Sequence, residues 1–497
     1  MSKHHIRKPI HLLLADSESG GMKRTLGRMS LVLLGIGAII GAGLFVRTAA
    51  ASAEAAGPAV TISFIVAAIG CAFAGLCYAE FASMFPIAGS AYTYAYTTMG
   101  ELVAWIIGWA LIMEYALGAA TVSIAWSEYL NNLLGGVIPY EWCHSPWETS
   151  AAGIQGIMNA PALVILLALT MLLVRGTQES AIVNGIIVFI KVGIVLAFIA
   201  IGFKYINSAN YTPYIIPEGT VGHEGFFQHG WGGIFRGAAI VFFAFIGFDA
   251  VSTAAQEAKN PQKDMPFGIL GSLVICTILY VLFAHVLTGV ANWTEFKIAG
   301  KEASVAYAIQ HHMPGFEWLG TLVTIAILAG FSSVILVMLM GQSRVFFSMS
   351  NDGLIPRVFS DLHPKHKTPH KSNWILFLFV GAFAAFVPGS VAGDLTSFGT
   401  LLAFVLVCIG ILVLRKSNPE IKRPFKTPLV PLIPILGVLV CSFMIISLDH
   451  TTQIVAVCWM VIGLAIYFTY GIKKSKLQNG HYKPVPNETP MKNSDPI

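Results

Sequence analysis

Charged residues are scarce in this chain: Asp, Glu, Lys and Arg together make up 11% of its 497 residues. Apolar residues make up 56%, and the mean hydropathy is +0.72, values that no ordinary soluble domain approaches. The composition therefore excludes a soluble globular protein and indicates a polytopic membrane protein. The net charge of +5 does not indicate nucleic-acid binding, because the basic residues are spread over short loops.

Patterns for disulfides, metals and catalysis are missing as well. Only one of the seven cysteines, Cys143, falls in a predicted outer loop, so no disulfide framework is expected. The fourteen histidines do not fall into a ligand spacing with cysteine or carboxylate, so neither a metal site nor a cofactor is predicted. Gly-x-Ser-x-Gly, P-loop and His-Glu-x-x-His patterns are absent from the sequence, which argues against an enzyme.

Long apolar windows predict an all-α protein with twelve membrane spans. The spans lie near residues 29–50, 58–84, 102–134, 159–174, 181–203, 232–258, 266–290, 317–343, 373–388, 394–414, 428–447 and 452–472. An even number of spans places both termini on one side, and most of the 30 Lys and Arg residues lie on that side. The positive-inside rule therefore predicts cytoplasmic termini and a multi-pass protein of the cell membrane.

The same windows divide the chain into four parts. Residues 1–28 form a predicted cytoplasmic arm, 29–414 a ten-helix transport core, 415–472 two further helices, and 473–497 a polar, proline-rich tail that is expected to be disordered.

Two of the predicted spans carry residues that interrupt a helix. The first span has four glycines from Gly35 to Gly43, counting both ends. Gly247 and Asp249 lie in the middle of the sixth span. Within hydrocarbon, irregular backbone persists only where it is buried in protein or lines a cavity. The freed amides and carbonyls can then bind an anion and a cation, the two charges of a free amino acid. The alternative for the glycines is close packing of two membrane helices.

The positions of the two breaks also predict the architecture. They fall in the first and sixth of ten core spans, which run in opposite directions, as expected for a 5+5 inverted repeat with its site at the midplane. Asp249 is expected to cap the second half-helix, through the amides of Val251 or Ser252, rather than to contact the substrate.

Three further polar features fall at a similar depth in the membrane. Glu114 lies in the middle of the third span, Lys191 in the middle of the fifth, and Ser332 and Ser333 near the middle of the eighth. A lone charge in lipid costs about 2.5 to 3.5 kcal/mol, so each charge is expected to face a partner or a wet cavity. Glu114 and Lys191 are expected to face each other. They then form either a structural ion pair or a coupled titrating unit in which Lys191 changes protonation.

Several motifs together resemble one family. The chain resembles the cationic amino acid transporter branch of the amino acid, polyamine and organocation superfamily over about residues 25–472. The motifs are IGAIIGAGLF (36–45), YAEFA (78–82) with PIAGSAY (86–92), FIGFDA (245–250) with KNP (259–261), GQSR (341–344) with DGL (352–354), and RPF (423–425). Mammalian members have two additional helices at the C-terminus, whereas this chain has twelve predicted helices, as bacterial relatives do.

The resemblance implies a substrate site at the two breaks. The substrate carboxylate is expected on the amides of Ala42 and Gly43. The substrate ammonium is expected on the carbonyls of Ile39, Phe243 and Ile246, with Ala244 close by. Phe243 is also expected to cover the substrate.

The resemblance also implies how transport is driven. Lys191 takes the place of a sodium ion beside Ser332 and Ser333, and its ammonium is expected to donate to carbonyls of the first span. Together these expectations predict a secondary active transporter of amino acids, with proton symport favoured and exchange by the same site or a non-transporting sensor as alternatives. The expected partners are an amino acid, a proton and the lipid bilayer, together with a small membrane subunit of unknown identity if one exists.

Overall fold

A computed structural model describes most of the chain. The described residues are 7–8, 26–41, 43–85, 90–150, 152–175, 181–253, 255, 258–297, 304–363 and 368–480. Across these ranges every regular element is a helix, and β-structure is limited to two isolated bridges, Leu26 with Ala258 and Thr149 with Gln155. The predicted all-α class is therefore confirmed.

The α-helices follow the predicted spans closely. In chain order they are α1 (Arg28–Ile39), α2 (Thr48–Ala51), α3 (Val60–Met84), α4 (Ser90–Thr98), α5 (Glu101–Leu133), α6 (Ala160–Val174), α7 (Ala181–Gly202), α8 (Gly230–Val241), α9 (Ala250–Thr253), α10 (Pro261–Val290), α11 (Ser304–His312), α12 (Glu317–Asn351), α13 (His370–Phe386), α14 (Gly389–Ser417), α15 (Leu432–Ile446), α16 (His450–Ile466) and α17 (Ile472–Lys474).

Seven helical stretches in the described part of the chain are long and apolar enough to cross a membrane. Four shorter apolar helices accompany them, two of which, α1 and the segment Gly230–Phe245, end at the predicted breaks. These stretches make the chain a multi-pass helical membrane protein. The total of twelve spans and the inverted repeat remain predictions.

The helix α5 lies in the centre of the bundle and is held to α16 by two tryptophans. The indole N–H of Trp105 donates to the carbonyl of Gly463 at 2.9 Å, and that of Trp109 donates to the carbonyl of Trp459, also at 2.9 Å. An added Cβ at Gly463 would lie 2.4 Å from the Trp109 ring, so only glycine allows this contact. Because lipid offers no acceptor for an indole N–H, these bonds fix α16 against α5.

A buried carboxylate joins α3 to the end of α14 and to the loop after it. Glu80 is fully buried, and its two oxygens accept bonds from Nη2 and Nε of Arg415 at 2.7 and 3.1 Å. The amide of Thr427 donates to the same carboxylate at 2.8 Å. Such a bidentate pair with an added donor satisfies a charge that would otherwise be costly to bury.

The two ends of the described chain meet at Asp352, directly after α12. The ammonium of Lys8 donates to its Oδ1 at 3.1 Å, and the hydroxyl of Tyr92 donates to its Oδ2 at 2.7 Å. The amide of Lys476 donates to its main-chain carbonyl at 3.0 Å. Both end segments therefore lie on the same face of the bundle, as an even number of spans requires. That this face is cytoplasmic remains a prediction.

Candidate functional site

The first predicted break is present at the four glycines. The helix α1 ends at Ile39, and Ile40 adopts an extended conformation with ψ of 104°. The chain becomes helical again at Gly43, where it begins a π-helical turn that runs to Arg47. Ala42, the other expected carboxylate-binding residue, lies outside the described residues.

The second break follows α8. A single 3-10 turn covers Phe242–Phe245, and Ile246 is extended, with ψ of 135°. Gly247 has φ of +111°, a conformation that residues with a Cβ rarely adopt. The chain is α-helical again from Ala250 to Thr253. The interruption of this segment is therefore confirmed.

The backbones of the two breaks are in direct contact. An added Cβ at Gly43 would lie 2.1 Å from the Cα of Ala244, and one at Gly247 would lie 2.8 Å from the carbonyl oxygen of Ala38. The glycines therefore pack two main chains against each other, which is the close-packing alternative weighed for the first span. This contact also places Gly43 beside Ala244, as expected for two parts of one site.

A tyrosine hydroxyl joins the free carbonyls of both breaks. Tyr280, which is fully buried in α10, has its hydroxyl 2.8 Å from the carbonyl oxygen of Ile39 and 3.0 Å from that of Ala244. A phenol has one hydrogen, so it cannot satisfy both carbonyls fully at the same time. The two oxygens therefore form an acceptor pair that a second donor, such as an ammonium group, can share.

The expected substrate residues are buried around this acceptor pair. Ile39, Phe243, Ala244 and Ile246 are each less than 5% exposed. The sequence analysis did not identify Tyr280. The available signal was a tyrosine in an apolar stretch of a predicted span, because a phenol at that depth needs a protein acceptor.

Lys191 contacts the helix that ends at the first break. Its ammonium donates to the carbonyl of Gly37 at 3.1 Å, so the predicted bond to the first span is present. An added Cβ at Gly330 would lie 2.8 Å from Cε of Lys191, so this glycine makes room for the lysine stem. Lys191 therefore links α1, α7 and α12.

A small cavity adjoins this lysine. Its walls include Gly41 and Phe45 after the first break, and Ile327, Gly330 and Phe331 of α12. The two predicted serines are not among its lining residues. Ser332 donates to the carbonyl of Leu328 in its own helix at 2.9 Å, and Ser333 is buried. Their coupling role remains a prediction.

The expected contact between Glu114 and Lys191 is wrong. Glu114 is fully buried in α5, and neither of its carboxylate oxygens has a hydrogen-bond partner within the described residues. Thr400 lies near this carboxylate, but its hydroxyl donates to the carbonyl of Thr396 at 3.1 Å. Lys191 instead bonds the carbonyl of Gly37, so the two side chains have different neighbours.

Asp249 faces the helix that carries Glu114. The hydroxyl of Tyr115 donates to Oδ2 of Asp249 at 2.9 Å, which ties the second break to α5. The amide of Ser252 donates to the main-chain carbonyl of Asp249 at 2.8 Å. Capping by the carboxylate itself remains a prediction, and Tyr115 is a second residue that the sequence analysis did not identify.

Fold and site together define a class of protein: a multi-pass helical membrane protein in which two interrupted helices meet at a buried polar site. Residues 26–476 match the model of the family described as amino acid permease. The chain therefore belongs to the amino acid permease family, within the amino acid, polyamine and organocation superfamily, whose members are permeases and transporters and not enzymes.

Individual relatives cover nearly the whole chain. The chain is 46% identical to the branched-chain amino acid permease BcaP of Bacillus subtilis, over 94% of this chain and 97% of the relative. It is 39% identical to a methylthioribose transporter of the same organism, over 96% and 100% of the two lengths. It is 32% identical to the vacuolar cationic amino acid transporter 4 of Arabidopsis thaliana, over 83% and 66%.

A substitution at the contact between Gly43 and Ala244 tests whether the substrate site lies where the two breaks meet. Gly43→Ala places a methyl group against the Ala244 backbone, so the two breaks cannot keep their relative position, and amino acid binding is expected to weaken by about tenfold or more. Equilibrium binding of a labelled amino acid to purified protein measures the change. Gly75→Ala is the matched control, because a Cβ there meets Leu273 at an ordinary 3.6 Å. Folded Gly43→Ala protein with wild-type affinity would contradict this placement of the site.

Proposed function

We propose that this protein is a secondary active transporter that moves amino acids across the plasma membrane by alternating access. The fold behind this proposal has twelve spans, with the first ten arranged as a 5+5 inverted repeat and both termini in the cytoplasm. Membership of the amino acid permease family and the two adjacent breaks support it.

The observation that carries the proposal is the acceptor pair at Tyr280. The carbonyls of Ile39 and Ala244 converge on one hydroxyl, in a region where lipid supplies no donors. An ammonium group has three hydrogens and can satisfy both oxygens at once. The amides of the helical turn that begins at Gly43 can bind the substrate carboxylate, which is attached to the same carbon as the ammonium group. Main-chain groups of this kind recognise any α-amino acid, whatever its side chain.

Side-chain selectivity must then come from residues around the main-chain site. The neutral branched-chain substrates in the name of one relative require only apolar contacts, which Phe243 and Ile246 offer. Glu114 offers a buried carboxylate, which suits the basic side chains in the name of another relative. The proposed site therefore offers contacts for both substrate classes.

Lys191 supports coupling to protons. Its ammonium holds the carbonyl of Gly37, so loss of its proton would release α1 from α7 and α12. One proton moving down a gradient of one pH unit and 100 mV supplies about 1.4 plus 2.3 kcal/mol, enough for roughly 500-fold accumulation of a zwitterion. Exchange of two amino acids would use the same main-chain site without net proton movement.

Uptake into proteoliposomes tests the function. Labelled leucine, arginine, lysine and methionine, with methylthioribose as a competitor, are presented with and without an inward proton gradient. We expect accumulation of at least one amino acid, increased by the gradient. Uptake that depends only on amino acid inside the vesicles would identify an exchanger. Binding without any uptake would favour a sensor and contradict transport.

Replacement of Lys191 tests the coupling. Lys191→Met removes the charge at similar length, so some substrate binding should remain while gradient-driven accumulation is lost. Lys191→Arg stays charged at every accessible pH and should transport poorly. The measurement is the accumulation ratio with and without a proton gradient.

Thr324→Val is the control for this pair of variants. The Thr324 hydroxyl donates to the carbonyl of Gly320 in its own helix, and the residue has no predicted coupling role, so its loss should leave the proton dependence intact. A wild-type accumulation ratio in Lys191→Met would rule the coupling role out.

A further inference from the structure

Two arginines share one carboxylate on the side of the breaks opposite to α1. Arg47 ends the π-helical turn after the first break, Arg236 lies in α8 before the second, and Asp394 lies near the start of α14. Nη2 of Arg47 donates to Oδ1 of Asp394, and Nη2 of Arg236 donates to Oδ2 at 2.9 Å. The three side chains are 4%, 13% and 8% exposed, so the cluster is almost entirely removed from solvent.

The charges of this cluster do not balance. Each guanidinium keeps its positive charge at any accessible pH, whereas Asp394 supplies one negative charge. Within the described residues, Nε of Arg47 and Nη1 of Arg236 are buried and have no hydrogen-bond partner. Buried charge and buried donors are both costly when they are not compensated. The arrangement is that of an ion pair with one cation in excess.

A glycine of α14 lies against the guanidinium group of Arg47. An added Cβ at Gly393 would lie 3.2 Å from the guanidinium carbon of Arg47, so a larger residue would crowd this side chain. Guanidinium groups bind carboxylates and other small anions through parallel N–H donors, and such bonds are strongest away from water.

We infer that Arg47 and Arg236, together with Asp394, form a binding site for a small monovalent anion. Two sources share this chemistry: a chloride ion, and the carboxylate of an amino acid on its way to the breaks. The second source rests on the proposed transport function, whereas the first does not. Under the proposed topology the cluster lies on the outer side, and Arg47 is four residues from Gly43, so an entering anion meets the cluster before the main-chain site.

Anion-specific stabilisation is the direct test. Thermal unfolding of the purified full-length protein is compared in sodium chloride and in sodium isethionate, at equal ionic strength and pH. If chloride binds, the unfolding temperature should be about 2 °C higher in chloride, because a ligand that binds only the folded state stabilises it.

Two substitutions give opposite expected results. Arg236→Gln leaves a balanced pair between Arg47 and Asp394, so the chloride shift should be lost. Asp394→Asn leaves two arginines without a carboxylate, so the shift should grow. A purely structural ion pair would lose stability in both variants, by the same amount in either salt. Lys371→Gln, which breaks an exposed pair with Asp361, is the control and should keep the wild-type shift.

The second arm of the experiment identifies an amino acid carboxylate. In chloride-free proteoliposomes, Arg236→Gln should raise the KM for uptake by about tenfold if the carboxylate docks on Arg236, since a hydrogen bond to a charged group is lost. Lys371→Gln should leave this KM unchanged.

The outcomes separate this inference from the proposed function. A chloride shift in a protein that transports no amino acid would support the anion site and contradict transport. The absence of a chloride shift, together with an unchanged KM in Arg236→Gln, would overturn the anion site and leave transport standing. An equal chloride shift in wild type, Arg236→Gln and Asp394→Asn would also overturn it.

Discussion

The requirement that buried main-chain groups find partners in a membrane governs this structure. Each break frees carbonyls where lipid offers no hydrogen bond, so protein groups must satisfy them. The hydroxyl of Tyr280 lies between the carbonyls of Ile39 and Ala244, and Gly43 and Gly247 allow the two main chains to touch. The breaks are therefore stable only next to each other.

The same requirement explains where the charged residues lie. Lys191 is paired with a main-chain carbonyl of α1, so its charge holds the first break to α7 and α12. Asp249 accepts from Tyr115 and so holds the second break to α5. Each break is thus joined to a different part of the surrounding bundle. Under the proposed transport mechanism, the loss of either polar contact would free that break from its part of the bundle.

Much of this arrangement was predictable from the sequence, because it depends on patterns within single segments. The glycines of the first span and Gly247 indicated both breaks, and the depth of Lys191 indicated its bond to the first span. The pairing of Glu114 with Lys191 was wrong, because a shared depth does not fix how helices are rotated about their axes. Tyr280 and Tyr115 were missed for the same reason: their partners lie on other helices, and periodicity does not reveal contacts between helices.

In the proposed mechanism, the carbonyls of Ile39 and Ala244 next to Tyr280 receive the ammonium group of an amino acid. The most direct measurement is the affinity of purified Tyr280→Phe protein for a transported amino acid. Phenylalanine keeps the ring and removes the donor, so the carbonyls of Ile39 and Ala244 lose the hydroxyl that they share in the free protein, and the substrate ammonium can replace it. The account predicts binding that is tighter by about tenfold. The control is Tyr96→Phe, whose hydroxyl bonds Glu101 far from the breaks, and it should keep wild-type affinity. An unchanged affinity in Tyr280→Phe would contradict the account.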